Sequence, residues 1–517
     1  MRGLIVVCLC QLALAARVRA QPAVAEPAPA EPAPVEPTGT ASDVAPAPVT
    51  APPAPPPAQV EEPPHEAFHE DNEFGPVILI EAINITGNTA TETELIRRAL
   101  PINPGDILHA SDRRLRDSRF KVLALGYFRE VTLRMAKGSA RGQVVIEIHV
   151  VERGTFVLNR LWFGSNRVAP YWFGADVGER NLLGLGIAVG GGAIYVADGK
   201  IAGARAQWAG ELRASDTSLY GSRWGANGSL TLVHGSEPYR TSGSDGDQVA
   251  EFRAFPYRRL GGRLGVTYDA TELSRISGGI RIEAVDTTLP VAPTRVLTDG
   301  RLAAIDLHLD PGESRVITAG LGFERDTRPD PILPHAGNRL TANAEVGSAA
   351  LGGSYDFATV FAREEQWWPI TPHTALGLRL AGGVVIGDAP RFDRIHISDV
   401  DHMLTPRALG LELSNAAPLD ILGTKPDKPS FGEVGGSTTL ELTSELFRGS
   451  GKNRVYGGDW FIGVGLWALA QTEELALRDR GLWKSLPIDG YADAGLRIDT
   501  DVGVFELTIA NALGRLR

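Results

Sequence analysis

His65 and His69 stand four residues apart, the spacing at which one helical face could offer two imidazoles to a metal ion. They close a stretch, residues 21–70, dominated by Pro, Ala, Val and Glu (EPAPAEPAPVEP, APPAPPPAQVEEPP). That composition buries no core and reads as a disordered, extended tether able to reach about 100 Å or more. A lone histidine pair in such a tether is an ordinary solvated pair, so no metal is expected. Cys8 and Cys10 lie in MRGLIVVCLCQLALAARVRA, where Arg2, a short apolar run and an Ala-x-Ala-like end read as an export signal over residues 1–20. Its removal leaves a chain with no thiol chemistry and no disulfide. GLGIAVGGG (184–192) is glycine-rich, but no helix-forming sequence follows, as a phosphate-binding turn requires. There is no G-x-S-x-G, no Walker loop and no metal-spaced His/Glu cluster. Neither an enzyme nor a cofactor is expected. The net charge of −11 over 517 residues weighs against a nucleic-acid partner.

The elements beyond residue 155 explain why charges are plentiful but make no catalytic motif. In TLELTSELF, Leu440, Leu442 and Leu446 alternate with Glu441, Thr443 and Glu445; in VFELTI, Phe505, Leu507 and Ile509 alternate with Glu506 and Thr508. AIDLHLD does the same with Ile305, Leu307 and Leu309 against Asp306, His308 and Asp310. After residue 20 no run of about 18 apolar residues could form a spanning helix. Short strands with one greasy and one polar face, repeated over an exported domain, predict a transmembrane antiparallel β-barrel over 155–517, of about 16 strands. The segment 301–310 is counted among them. Aromatics near strand ends (Trp162, Phe163, Tyr171, Phe173, Trp367, Trp368, Trp460, Phe461) suit interfacial girdles.

Residues 77–153 differ in kind. A strand ending at Gly87–Asn88 precedes a short helix capped by Thr91 or Thr93. A second helix follows, capped by Ser111 and burying Leu115, Phe120, Val122 and Leu123, and then a hairpin through Gly138–Gly142. This predicts a small α+β domain, and the whole fold class is mainly β. Ile83-x-Ile85-x-Gly87-Asn88, the Leu100–Asp106 joint, and Leu123 leading into Gly126-Tyr127-Phe128 and Val131 resemble a polypeptide-transport-associated (POTRA) domain.

A second resemblance lies in the barrel. GLGFERDTRPDPILPHAGNRLTANAEVG is similar to the D-x-R…P-x-x-G-x-x-L hairpin of the BamA/TamA superfamily of outer-membrane assembly factors, with Asp326, Arg328, Pro334, Gly337 and Leu340 at the matching places. These are read as structural. The long segment 388–435 falls where that superfamily has an extracellular loop folding back into the barrel, its Arg-Gly-aromatic tip held by acids on the inner wall. TPRALG keeps Arg407 but replaces the Gly-aromatic pair with Ala408 and Leu409. Glu445 matches the family's acidic partner. The acid of the next strand has become Gly463, for which Asp493 is the substitute offered. The resemblance therefore implies an Arg407–Glu445 lock in the lumen, with Asp493 as a further acid. AGLRIDTDVGVFELTIANALG resembles the family's last-but-one hairpin, and no further strand or terminal aromatic follows before Arg517. Either 503–513 closes against 155–164 or the closing strand is missing, which departs from a family-like lateral gate.

By analogy with the family, the resemblance implies an outer-membrane protein with POTRA and tether in the periplasm. It would insert or translocate client polypeptides, which the POTRA sheet edge, near 81–86 or 129–135, receives by β-augmentation. Implied partners are outer-membrane lipids, unfolded outer-membrane or secreted clients, and accessory periplasmic or lipoprotein factors. Two other readings are a two-partner-secretion pore and a passive porin or structural surface protein.

Overall fold

The computed structural model describes residues 76–515, apart from 166–169, 200, 220–221, 242–251, 272, 298–299, 401–406, 414–430, 450–453 and 472–487. The export signal, the tether and the His65/His69 pair lie outside the described residues.

The first module runs β1 (Val77–Thr86), α1 (Thr93–Ala99), β2 (Ile107–His109), α2 (Arg113–Ala124), β3 (Phe128–Lys137) and β4 (Gln143–Glu152). Its sheet order is β2-β1-β4-β3, with β1 parallel to β4 and the other pairs antiparallel. Alternation in β1 and β4 sends Ile80, Ile83, Ile146 and Ile148 under the helices, where they meet Ile96, Leu115 and Val122. Each such side chain contributes roughly 2 kcal/mol by leaving water. The cap of α2 is Asp112, not Ser111: its carboxylate accepts from the Arg114 N–H at 2.7 Å. No side chain caps α1; its N-cap residue is Glu92. Phe120 is exposed rather than buried, because the inward stripe of α2 passes through Leu115 and Val122.

Among the described residues, fifteen strands then form one antiparallel sheet. They are β5 (Phe156–Gly164), β6 (Trp172–Leu182), β7 (Ile187–Val196), β8 (Gln207–Asp216), β9 (Trp224–Arg240), β10 (Phe252–Thr271), β11 (Ser274–Thr287), β14 (Gly312–Asp326), β15 (Gly337–Gly347), β16 (Phe357–Thr371), β17 (Thr374–Gly387), β22 (Val434–Arg448), β23 (Val455–Ala470), β24 (Ile488–Thr500) and β25 (Gly503–Arg515). The connection from β11 to β14 carries a small hairpin, β12 (Thr294–Val296) with β13 (Leu302–Ala304). Here the sequence expectation fails. Residues 305–310 do not join the wall; Leu307 instead buries against Tyr239 and Phe255, and His308 adopts a left-handed φ of 53°. Alternation arises just as well in a segment that lays one side on an apolar patch.

Sequential antiparallel pairing of fifteen strands makes β5 and β25 run in the same direction. They are the two edges of the sheet, and the roll is nearly closed. Among the described residues they share one backbone hydrogen bond, from Leu158 N–H to Val502 O at 2.7 Å, where β25 begins.

The wall has the expected two faces. Leu212, Leu230, Leu264, Ile282, Leu321 and Leu507 are exposed on the outside, while Glu441 and Thr443 are buried within. Outward aromatics mark both ends: Phe163, Tyr171, Phe173, Tyr195 and Trp208 at the end far from the first module, Trp224 and Trp368 at the near end. Trp367 and Phe461 are buried instead.

Candidate functional site

The lumen is occupied by the long connection between β17 and β22. Its described parts include a turn at Arg391–Asp393, β18 (Ile395–His396), α3 (Ile397–Val400), β19 (Arg407–Ala408), β20 (Leu411–Glu412) and β21 (Phe431–Gly432). Phe392, Ile395, Val400, Leu411 and Leu413 pack with wall residues Tyr257, Val385, Trp467, Leu469 and Tyr491 in one buried apolar cluster. The connection is a plug that shares one apolar interior with the wall.

Three arginine systems pin it. Arg391 donates Nε–H to Glu237 Oε1 on β9 at 2.8 Å and Nη2–H to Pro238 O at 2.7 Å, and its guanidinium lies 4.4 Å above the Phe431 ring. Arg281 on β11 holds Asp393 bidentately at 2.7 and 2.8 Å and also meets Glu345 at 2.9 Å. Arg394 pairs with Glu433 and donates to His308 Nδ1 at 3.0 Å. Pairs this deep survive because each guanidinium meets a carboxylate at close range and most add a second acceptor.

The Arg407–Glu445 lock does not form. Arg407 donates to Phe392 O at 3.2 Å inside the plug. Glu445 lies at the opposite end of β22, bound to Arg448 at 2.7 Å and 3.6 Å from His373. Their separation follows from strand direction: the plug enters beside Val434, whereas Glu445 is near the strand's other end, beside the first module. Asp493 faces Gly463 across the β23–β24 register, and its carboxylate fills the space that a Cβ at Gly463 would take. It lines a small cavity of about 70 Å³ with Arg363, Arg379, Val400 and Thr439. The acid that collects arginines on β22 is Glu441, which has no solvent exposure and pairs with Arg379 and with Arg497 at 2.6 Å. Arg391, Arg394 and Glu441 were missed as anchors; two arginines flanking an aromatic in PRFDR were the available signal.

The hairpin residues gather at the near end. Arg328 pairs with Asp326 at 2.7 Å and with Glu365 at 3.2 Å. Gly337 opens β15 at φ 89°, where a Cβ would stand 2.6 Å from Thr327 O. Beside Pro334, His335 reaches Asp459 on β23 at 2.9 Å, so this turn crosses part of the opening.

At that end the first module is docked. Asn181, near the end of β6, and Gly184–Gly186, in the β6–β7 turn, meet the start of α1: Asn181 Nδ2–H donates to Thr91 Oγ1 at 2.9 Å, and Glu92 N–H to Gly184 O at 3.1 Å. Gly184 needs its φ of 79° and its missing Cβ because Ala90 O occupies that space. Tyr127 reaches Gly186 O at 3.4 Å, and Arg153 pairs with Asp499 at 3.1 Å beneath the Tyr456 ring. Ile83 is in the module's core; Gly87 (φ 91°), Asn88 and Gly126 (φ 77°) shape the turns around it. Glu152 ties the 89–91 turn down. Burial pushes its carboxyl pKa up, but the Thr89 hydroxyl and the Thr91, Ala90 and Thr89 N–H groups outweigh this and hold it at about 2.

A four-stranded module thus sits on a barrel whose lumen is occupied by an arginine-pinned loop. Residues 78–153 match the POTRA family described as a surface antigen variable number repeat, and residues 181–515 match the Omp85 superfamily domain. The chain belongs to the Omp85 superfamily. Over 113 residues it is 35% identical to the outer membrane protein assembly factor BamA of Neorickettsia risticii, covering 20% of this chain and 14% of that protein. CdiB from Escherichia coli superposes with a TM-score of 0.53 at 11% identity, over 85% of this chain and 73% of that one. BamA from Haemophilus ducreyi lacking POTRA domains 1–3 gives 0.47 at 13% identity, over 85% and 82%. At these identities the structural likeness concerns the fold. As an Omp85 outer-membrane barrel, the chain turns its leucine band to lipid and its aromatic girdles to the two interfaces.

Proposed function

We propose that this Omp85 barrel inserts client β-barrel polypeptides into the outer membrane, with the POTRA domain in the periplasm. Clients are received on the outer edge of β3 and paired into the barrel at the seam between β5 and β25. The seam carries the reading. Two edge strands that share one backbone hydrogen bond leave rows of donors and acceptors for an incoming strand, while the plug fills the alternative route through the lumen. On the POTRA side, β4 is interior and β2 covers β1 only at Val77–Leu79, so 81–86 and the ten-residue β3 both present an edge; the longer one, near 129–135, is the one proposed for the client strand. Passage of a secreted client through the lumen would require the Arg391 and Asp393 pairs to part. The test is a Leu158→Cys/Val502→Cys pair in reconstituted proteoliposomes, in a chain whose only other cysteines are Cys8 and Cys10. Oxidation should block client insertion and reduction restore it; insertion undiminished by the closed seam would overturn the proposal.

A further inference from the structure

Glu237 on β9, His396 on β18 and Glu412 on β20 meet where the plug touches the wall. They are 2%, 3% and 6% exposed, and each places one donor atom within 4.8 Å of the others'. His396 Nδ1 lies 2.9 Å from Arg394 O. A carbonyl only accepts, so Nδ1 carries a proton, and in the neutral ring Nε2 then presents a lone pair. His396 Nε2 and Glu412 Oε2 are both buried and make no hydrogen bond. Arg391 engages Glu237 through Oε1 at 2.8 Å, and Arg407 and Arg394 donate to backbone carbonyls of the plug. Two carboxylates and a neutral imidazole therefore converge, with Arg391 ion-paired to Glu237 and the charge of Arg407 also near Glu412 and His396. Burying the second carboxylate as an anion with no cation or donor bonded to its Oε2 is costly.

We infer that Glu237, His396 and Glu412 form a binding site for a divalent transition-metal ion of the zinc class. One imidazole nitrogen with two carboxylate oxygens suits such an ion. The Nδ1–H bond to a backbone carbonyl is the outer contact that fixes a ligating histidine's tautomer and ring plane. The ion staples two strands of the plug to β9, so its removal loosens the plug while the wall stays intact. The inference is independent of the proposed function. A proton shared between Glu237 and Glu412 is the competing way to settle the charge.

The test uses the full chain in detergent, in a His65→Ala/His69→Ala background that removes the leader's imidazole pair. After chelator treatment, equilibrium dialysis with Zn(II) near neutral pH should give one ion per chain. Glu412→Gln, which keeps shape and removes the charge, and His396→Ala should each weaken binding by roughly a hundredfold. Chelation should also open residues 388–413 to protease in the parent chain. Absence of stoichiometric zinc, binding unchanged by Glu412→Gln, or a plug equally protected with and without chelator would overturn the assignment in favour of the shared proton.

Discussion

Arg391 in the plug and Glu237 on β9 form an ion pair, Nε to Oε1 at 2.8 Å, in which each side chain is only 3% exposed. Removing one member leaves the other charged in the interior. Arg391→Ala should therefore loosen the plug by about 3–5 kcal/mol. Protease access to residues 388–413 and conductance in planar bilayers should both rise. Arg391→Lys should restore little, since an ammonium cannot serve Glu237, Pro238 O and the Phe431 ring together.

Arg407→Ala should be mild by comparison, about 1 kcal/mol, because it removes a single hydrogen bond to Phe392 O. Glu445→Ala should leave the plug's protease protection unchanged. Equal effects of Arg407→Ala and Arg391→Ala in the same protection assay would restore the lock implied by the family resemblance.

Glu441 offers a test within the wall. Glu441→Gln strips the carboxylate from Arg379 and Arg497 together and should cost roughly 3 kcal/mol. The readout is an earlier urea transition in heat-modifiable migration, with no change in POTRA protection.

The POTRA module should respond to acid through Glu152. Its carboxyl is held at about 2 against an ordinary 4.5, so the stabilisation is complete above pH ~4.5 and is lost as pH falls through about 2. After discounting for partial solvent screening, this amounts to about 1–2 kcal/mol. Pepsin sensitivity of residues 77–153 should climb between pH 4.5 and 2. Glu152→Gln should flatten that dependence and raise sensitivity at the upper end.

The edge of β3 is partly guarded, because Arg119 on α2 donates Nε–H to Val131 O at 3.0 Å. Arg119→Ala should free that acceptor and increase photocrosslinking of unfolded clients from probes at Thr132 and Arg134. An unchanged yield would place client strands elsewhere.

Much of this was legible in the chain. Leu440/Glu441 and Leu507/Thr508 announce a two-faced wall because a strand's side-chain period is two, whatever surrounds it. Ile83, Gly87, Tyr127 and Phe128 announce the POTRA core and turns, because short-range spacing sets them. AIDLHLD misled because alternation reports two environments, not a partner strand. The plug's anchors were illegible for a related reason. Arg391 and Glu237 are far apart in sequence, and only the barrel's curvature brings β9 to the plug. Arg407 looked like the anchor because the local motif around it survives in part, while the strand direction that separates it from Glu445 is a property of the whole sheet.

The most direct measurement places a photoreactive residue at Ile509 on β25 and, separately, at Ser437 in the lumen, during insertion of a radiolabelled client. Adducts from Ile509 with none from Ser437 are the predicted result. Adducts from Ser437 alone would mean that clients pass through the barrel, contradicting insertion at the seam.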